Sequence, residues 1–423
     1  MTDRVTDRVT DRVTDEVYLG RQPLVDIDRQ VFGYELLYRG GPDRSTTFDD
    51  PEVATRGVME RVLLQWGMER VVGDRFGMIN ASASLVVHGL HRAMPPEGII
   101  IEVREAEPFD DSTVTALQSA RYDGYHFALD NVSRLADLER SCLLPLASIV
   151  KIELTTAHDA EIDRLITVAR ERSPGVLVVA EKVESVADFK RCVDHGFDLF
   201  QGYFIAEPEL LRRPARPTGA RSAAALHRTL GDEAIDVDRL ETIMAGDSSL
   251  AFRLLAAVNA NAFGLDCSVG SLEQAMGLLG PEKLRCLAEL IATSADTIDD
   301  DSHIRRGAVR ARMAAELLAG TEHQGTGITV ALLSTTDSLY QTAIGELLDE
   351  LPVSDEIVRA LLHGQGPLGV TLDVIRACEH DDVATLDDLA PGRREELVAL
   401  RAAAVVAVEA ATSAATSDST VPT

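Results

Sequence analysis

Five oxygen-bearing side chains, Glu35, Asn80, Glu102, Asp130 and Glu181, fall inside or at the ends of short apolar runs. A charge placed there is costly unless it is paired or coordinates something. Each comes from a different predicted strand. In a (β/α) barrel the strand ends converge on one face, so the five would meet at one mouth. Hard oxygen donors suit Mg²⁺ or Mn²⁺, which activate water against a phosphodiester and neutralise developing charge. Lys151, one of only four lysines with Lys182, Lys190 and Lys283, sits on a further strand and offers a cation beside the phosphate or the attacking water. Arg39, four residues after Glu35, ends its strand with a guanidinium fork for a phosphate. Taken singly, a glutamate ending a strand is usually a solvated cap or an ion-pair partner. The weight lies in the set.

The elements that must position these residues are legible as a cadence. From Tyr18 to about Leu211, β-rich runs starting at Phe32, Phe76, Ile99, His126, Ile149, Val176 and Leu199 alternate with amphipathic stretches. Helical patterns of this kind lie at Val53–Trp66, Asp163–Arg172 and Val186–Gly196. Strand, helix, strand at this spacing predicts a TIM-like (β/α) barrel. The run RRPARPTGAR, Arg212–Arg221, has two prolines, a glycine and no apolar period, and reads as a linker over residues 212–222. Beyond it apolar residues recur at three- and four-residue spacing to about residue 410, with Gly246, Gly264, Gly280, Gly320 and Gly364 where helices should stop. The fold class is therefore α/β plus all-α: a barrel over 17–211 and a helical domain over 223–410. Residues 1–16, built on a TDRV repeat, and 411–423, rich in alanine, serine and threonine, read as disordered ends.

Composition narrows the function classes. The chain has 423 residues, enough for two hydrophobic cores, and a formal net charge of -28 that repels polyanions and argues against broad nucleic-acid binding. Five isolated cysteines form no CxxC pair and read as reduced thiols. No start-proximal apolar stretch resembles a signal peptide, and no uncharged run approaches the roughly 20 residues of a membrane span. The expectation is a cytoplasmic protein with no membrane partner.

At this point the residues resemble a family. Glu35-Leu-Leu-Tyr-Arg39 is similar to the ExLxR motif of EAL domains, the cyclic di-GMP phosphodiesterases. Asn80 and Ser82, Glu102 and Glu105, Asp130, Lys151, Glu181 and Glu184, and Gln201-Gly202-Tyr203 follow in the family's order. The resemblance implies that Glu35, Asn80, Glu102 and Asp130 are metal ligands for Mg²⁺ or Mn²⁺, that Lys151 and Glu181 serve the attacking water, and that Arg39 and Gln201 contact cyclic di-GMP. Three departures stand out. Asn131 takes the place of a second aspartate, Val132–Asp137 carries no glycine where the family has a glycine-rich loop, and Glu153 replaces an aspartate. Metal affinity falls as ligand charge falls, so the resemblance implies a weakened or vacant metal site. In active relatives that loop also shapes a dimer contact, so a homodimer stays open.

The helical half resembles the HDOD domain, through SSLAFRLLAAVNANAFG from Ser248, SLEQAMGLLGPEKLR from Ser271 and the run from Leu332 to Gly369. HDOD domains are related to HD-type metal phosphohydrolases. Here His158-Asp159 and His380-Asp381 lie outside the central position, and His303 and His323 are followed by Ile304 and Gln324, so no metal is expected in this half. Arg305, Arg306, Arg310 and Arg312 read as a solvated helix face balanced by Glu316, and Asp337 as partly buried and hydrogen-bonded. The leading expectation is a signalling adaptor with a degenerate barrel site that binds cyclic di-GMP or protein partners. The alternative is an active metal-dependent cyclic di-GMP phosphodiesterase, and whether the chain is an enzyme stays open at this stage.

Overall fold

The computed structural model describes residues 16–42, 51–104, 110–154, 159–231, 237–259, 268–294, 297–351 and 353–417. The repeat segment lies outside these residues except for Glu16, as do Glu105, His158, Gly264 and Cys267.

Among the described residues, nine strands build the first half: β1 (Glu16–Val25), β2 (Val31–Arg39), β3 (Phe76–Asn80), β4 (Ile99–Arg104), β5 (His126–Val132), β6 (Ile149–Glu153), β7 (Leu177–Glu181), β8 (Leu199–Phe200) and β9 (Glu209–Pro214). Strands β2 to β8 pair in sequence order and in parallel. β1 runs antiparallel to both β2 and β8 and so closes an eight-stranded barrel, while β9 adds to the outer edge of β1. Helices Pro51–Glu60 (α1), Asp111–Tyr122 (α2), Asp159–Arg172 (α3) and Val186–His195 (α4) are among those that cover the barrel. α1 runs directly into a π-helical turn, Arg61–Trp66.

Period-two alternation on the strands sorts the barrel interior into layers. One layer is apolar: Leu24, Met78, Ile100, Ala128, Ile149, Val179 and Leu199 form a buried cluster separate from the main core. Two residues further toward the mouth, on the same face, stand Asn80, Glu102, Asp130, Lys151, Glu181 and Gln201. On the antiparallel β1 the corresponding residue precedes Leu24, and it is Gln22, opposite Glu35 of β2. The apolar layer plugs the barrel and holds the polar layer above it.

The second half is helical and includes α5 (Ser248–Asn259), α6 (Leu272–Ala292), α7 (Ser302–Leu317), α8 (Gln324–Leu333), α9 (Gly366–Glu379) and α10 (Arg394–Ser417). Gly280, at φ 70°, breaks α6 into two helices with Pro281 starting the second, and Gly364, at φ 62°, ends the helix before α9. Both act as the stops the sequence implied.

Three expectations need correction. The linker is not free: Arg212–Pro214 belong to β9, and Thr218–Gly219 pair with Thr297–Ile298. Its arginines are anchored, since Arg213 and Arg216 reach Glu350 of the helical half at 3.0 and 2.6 Å. Residues 411–417 continue α10, because an alanine-rich run is a good helix former when one end is already packed. Arg310 is buried, not solvated: it makes a bidentate pair with Glu379 at 2.9 and 2.6 Å and bonds Ser334. Arg305, Arg306 and Arg312 are exposed as expected, and Asp337 is half-buried, accepting from Ser338.

Candidate active site at the barrel mouth

Lys151 organises the polar layer. Its side chain is 1% exposed, and its ammonium lies 3.1 Å from Glu35, 3.0 Å from Glu102, 3.4 Å from Asp130 and 3.0 Å from Glu181. Four strands thus each supply a carboxylate to one ammonium, which leaves an excess of three negative charges when all are ionised. Asn80 and Gln201 donate to the two oxygens of Glu35 at 3.1 and 2.7 Å. Gln201 also reaches Gln22 at 3.5 Å, which completes the ring of strands.

Burial and crowding set the protonation of these groups. Glu35 stays below the usual carboxylate range: burial raises it, but Lys151 and the donors Gln201 and Asn80 outweigh that. Glu102 goes well above it, through burial first and then repulsion from Glu35 and Asp130. Burial, with repulsion from Asp130 and Glu35, pushes Glu181 up to about 7. Lys151 is held well above the ordinary lysine value, because the surrounding carboxylates outweigh its burial. The ammonium stands 3.0 Å from one Glu102 oxygen, and apart from it the two buried Glu102 oxygens have no hydrogen-bond partner among the described residues.

The donor set fits a divalent cation chemically. Orphaned Glu102 oxygens and excess negative charge are the two defects a cation would repair. Among the described residues no three acids, histidines or cysteines are closed up at ion-binding spacing, since the ammonium of Lys151 occupies the centre. Arg39 lies at the rim, half-buried, its guanidinium donating to the Tyr38 carbonyl at 2.9 Å. Burial lowers its pKa against the opposing pull of Tyr203 and Glu35.

Asn131 follows Asp130 in a left-handed conformation, φ 58°, that asparagine tolerates better than most residues. Its exposed amide turns back to donate to Asp130 Oδ2 at 2.8 Å. The other residues of the motif series do different work. Ser82 caps the helix Ala83–Val87 by accepting from Leu85, Glu184 is exposed, and Glu153 pairs with Lys182 at 2.7 Å. Gln22 was not legible as a site residue, because Pro23 hides its strand; the remaining signal is a lone amide in an apolar run.

An eight-stranded barrel with an acid-rich mouth, joined to a helical half, defines the class. Residues 80–208 match the family model of the EAL domain, and residues 217–324 that of the HDOD domain. The chain therefore carries an EAL domain followed by an HDOD domain. It is 28% identical over 375 residues to the cyclic di-GMP phosphodiesterase CdgJ of Vibrio cholerae, covering 86% of this chain and 85% of that protein. It is 27% identical over 390 residues to the uncharacterized protein YuxH of Bacillus subtilis, covering 88% of this chain and 93% of that one. Among solved structures, Bacillus subtilis YkuI, an EAL-domain protein in complex with cyclic di-GMP and calcium, aligns at TM-score 0.36 and 19% identity over 47% of this chain and 56% of that chain. Klebsiella pneumoniae BlrP1, with manganese and cyclic di-GMP, aligns at TM-score 0.37 and 18% identity over 48% of this chain and 62% of that one. Among the described residues no helix is long and apolar enough to cross a membrane.

Proposed function

We propose that this chain is a cytoplasmic cyclic di-GMP signalling protein whose barrel mouth takes the dinucleotide and hydrolyses it weakly or not at all, while the HDOD half serves as a metal-free platform for protein partners. The observation that carries the weak-hydrolase reading is the Asn131 side chain bonded to Asp130 at 2.8 Å. A neutral amide stands where a second anion would bind a cation, and it occupies an oxygen of the acid that remains.

Glu35, Asn80, Glu102 and Asp130 are the residues that would hold Mg²⁺ or Mn²⁺. A bound cation would supply Lewis-acid neutralisation and a more acidic water. The chain's own groups contribute the rest. Lys151 stays an ammonium at the centre of the four acids, where it offsets part of their charge and would face the attacking water. Glu181, titrating at about 7, is poised to hold or release a proton near neutral pH. Arg39, at the rim, supplies a planar fork for a phosphate oxygen pair. Gln201 fixes Glu35 and so orients the floor on which the dinucleotide rests.

A second reading, a competent phosphodiesterase, is favoured by the completeness of the polar layer around Lys151. One assay separates the two: cyclic di-GMP hydrolysis in Mg²⁺ or Mn²⁺ by the full chain and by Glu35→Ala. The proposal expects little or no turnover, with calorimetric binding that Arg39→Ala weakens. Robust turnover abolished by Glu35→Ala would establish the second reading, and absence of binding would reduce the barrel to a protein-interaction scaffold.

A further inference from the structure

Helix α1 presents one face to the barrel mouth and another to the HDOD half. Glu52 and Thr55, three residues apart, lie toward the end of β3. Thr55 donates to the Asn80 carbonyl at 2.6 Å, and Ser82 donates to Glu52 at 3.0 Å. Arg56 and Glu60, four apart, lie toward the helices of the other half: Arg56 pairs with Glu289 of α6 at 2.6 Å, and Glu60 with Arg253 of α5 at 3.2 Å. Ser294 adds a bond to Glu60 at 3.4 Å. Thr55, Glu60 and Arg253 are sealed from water, at 5%, 4% and 0% exposure, while Arg56 and Glu289 are partly exposed.

The same helix also touches the strand that ends in Arg39. Gly57 packs so tightly under Tyr38 that a Cβ there would stand 2.2 Å from the ring, and the Arg61 guanidinium stacks over the same ring, 4.2 Å from its centroid. Two consecutive turns therefore contact both Asn80 and the residue before Arg39, while their opposite face is held by the HDOD half.

We infer that α1 is the lever through which the HDOD half sets the geometry of the barrel mouth, with Thr55 a positioning residue for Asn80 and with Glu289 and Arg253 holding the helix that carries Thr55. A shift of α5 or α6 moves α1, and the Thr55 hydroxyl moves with it. Asn80 then loses the anchor of its carbonyl, and its amide loses its aim at Glu35. An occupant of the HDOD half that displaces these helices would thereby change affinity at the mouth. The step from geometry to affinity rests on the cyclic di-GMP reading of that mouth.

Another ion pair between the halves, Arg92–Glu282 at 2.8 Å, reaches the turn Leu90–Ala93 and not α1, and it serves as the control. In the full chain, amide hydrogen exchange over residues 80–87 and calorimetric affinity for cyclic di-GMP in Ca²⁺ are measured for Glu289→Ala, Glu289→Asp, Thr55→Val, Thr55→Ser and Glu282→Ala. Glu289→Ala and Thr55→Val are expected to speed exchange at residues 80–87 and weaken binding, each on the order of fivefold. Glu289→Asp and Thr55→Ser should restore both, and Glu282→Ala should change neither. Unchanged exchange in Glu289→Ala, or an equal change in Glu282→Ala, overturns the lever whether or not the dinucleotide binds. If exchange responds but the parent chain binds no dinucleotide, the lever stands and the proposed function fails.

Discussion

Four carboxylates and one ammonium crowded into a largely buried layer have a direct thermodynamic consequence. Glu181 is raised from 4.5 to about 7 by burial and by its acidic neighbours, and Glu102 is raised well above the ordinary carboxylate value for the same reasons. The folded protein keeps protons on these groups where the unfolded chain has lost them. Stability must therefore fall as pH rises from about 4.5 to about 7, by about 3 kcal/mol for Glu181 on a scale of about 1.4 kcal/mol per pH unit. Metal-free protein should melt at a higher temperature at pH 5 than at pH 8, and millimolar Mn²⁺ should flatten the difference by supplying the missing positive charge. A melting temperature that rises over this interval would contradict the charge excess. Asn131→Asp belongs to the same argument. It frees the Asp130 oxygen that the amide occupies and adds an anion, so Mn²⁺ affinity read by calorimetry should rise roughly tenfold, because affinity grows with the charge count of the ligands. The site was largely legible at this scale, because a charge inside an apolar strand declares itself. The role of Asn131 was legible only as a missing charge, since the direction of its amide depends on a backbone angle that sequence does not reveal.

Elements explain why those residues meet. On β3 to β7, and just after β8, each residue of the polar layer follows an apolar plug residue by two positions, as Asn80 follows Met78 and Lys151 follows Ile149, so strand alternation aims them inward. The parallel strands were readable because their runs are rich in valine and isoleucine. β1 was not: its glycine, proline and arginine break the pattern, and what makes it a strand is pairing with β2 on one edge and with the distant β8 and β9 on the other. β9 was hidden in the same way, its arginines resembling a solvated linker until their partner on Glu350 is known. One close approach fixes the mouth beyond any pattern. A Cβ on Gly202 would lie 2.3 Å from the backbone of Val183, so the turn after β8 closes against the turn after β7 only with glycine there. Gly202→Ala should cost at least about 2 kcal/mol in urea unfolding, as overpacking against an immovable backbone does, and should displace Gln201 from Glu35. Wild-type stability in that variant would show the turn to be pliable.

At the scale of the whole molecule, the two halves are joined by buried charge, an uncommon way to join domains. Arg253 is fully buried, and its guanidinium meets Glu60 of the barrel as well as the Arg216 carbonyl. Glu350 is gripped by Arg213 and Arg216, which hold it at about 2 despite its burial. Such pairs contribute little net stability compared with apolar residues of the same shape, but breaking one side strands a charge out of water. The asymmetry yields a specific expectation. Glu60→Ala should destabilise the chain by about 3–5 kcal/mol, because the guanidinium of Arg253 is left without its carboxylate. Combining Glu60→Leu with Arg253→Met should recover most of that loss, since both charges leave together and the side chains are replaced by apolar groups. Calorimetric melting reads both changes, and it also reads cooperativity. If the buried pairs bind the halves into one unit, the parent chain melts in a single transition that Glu60→Ala splits in two. A parent that already melts in two steps would mean that the barrel and the HDOD half unfold independently, and that these arginines specify the arrangement of the halves without adding to their stability.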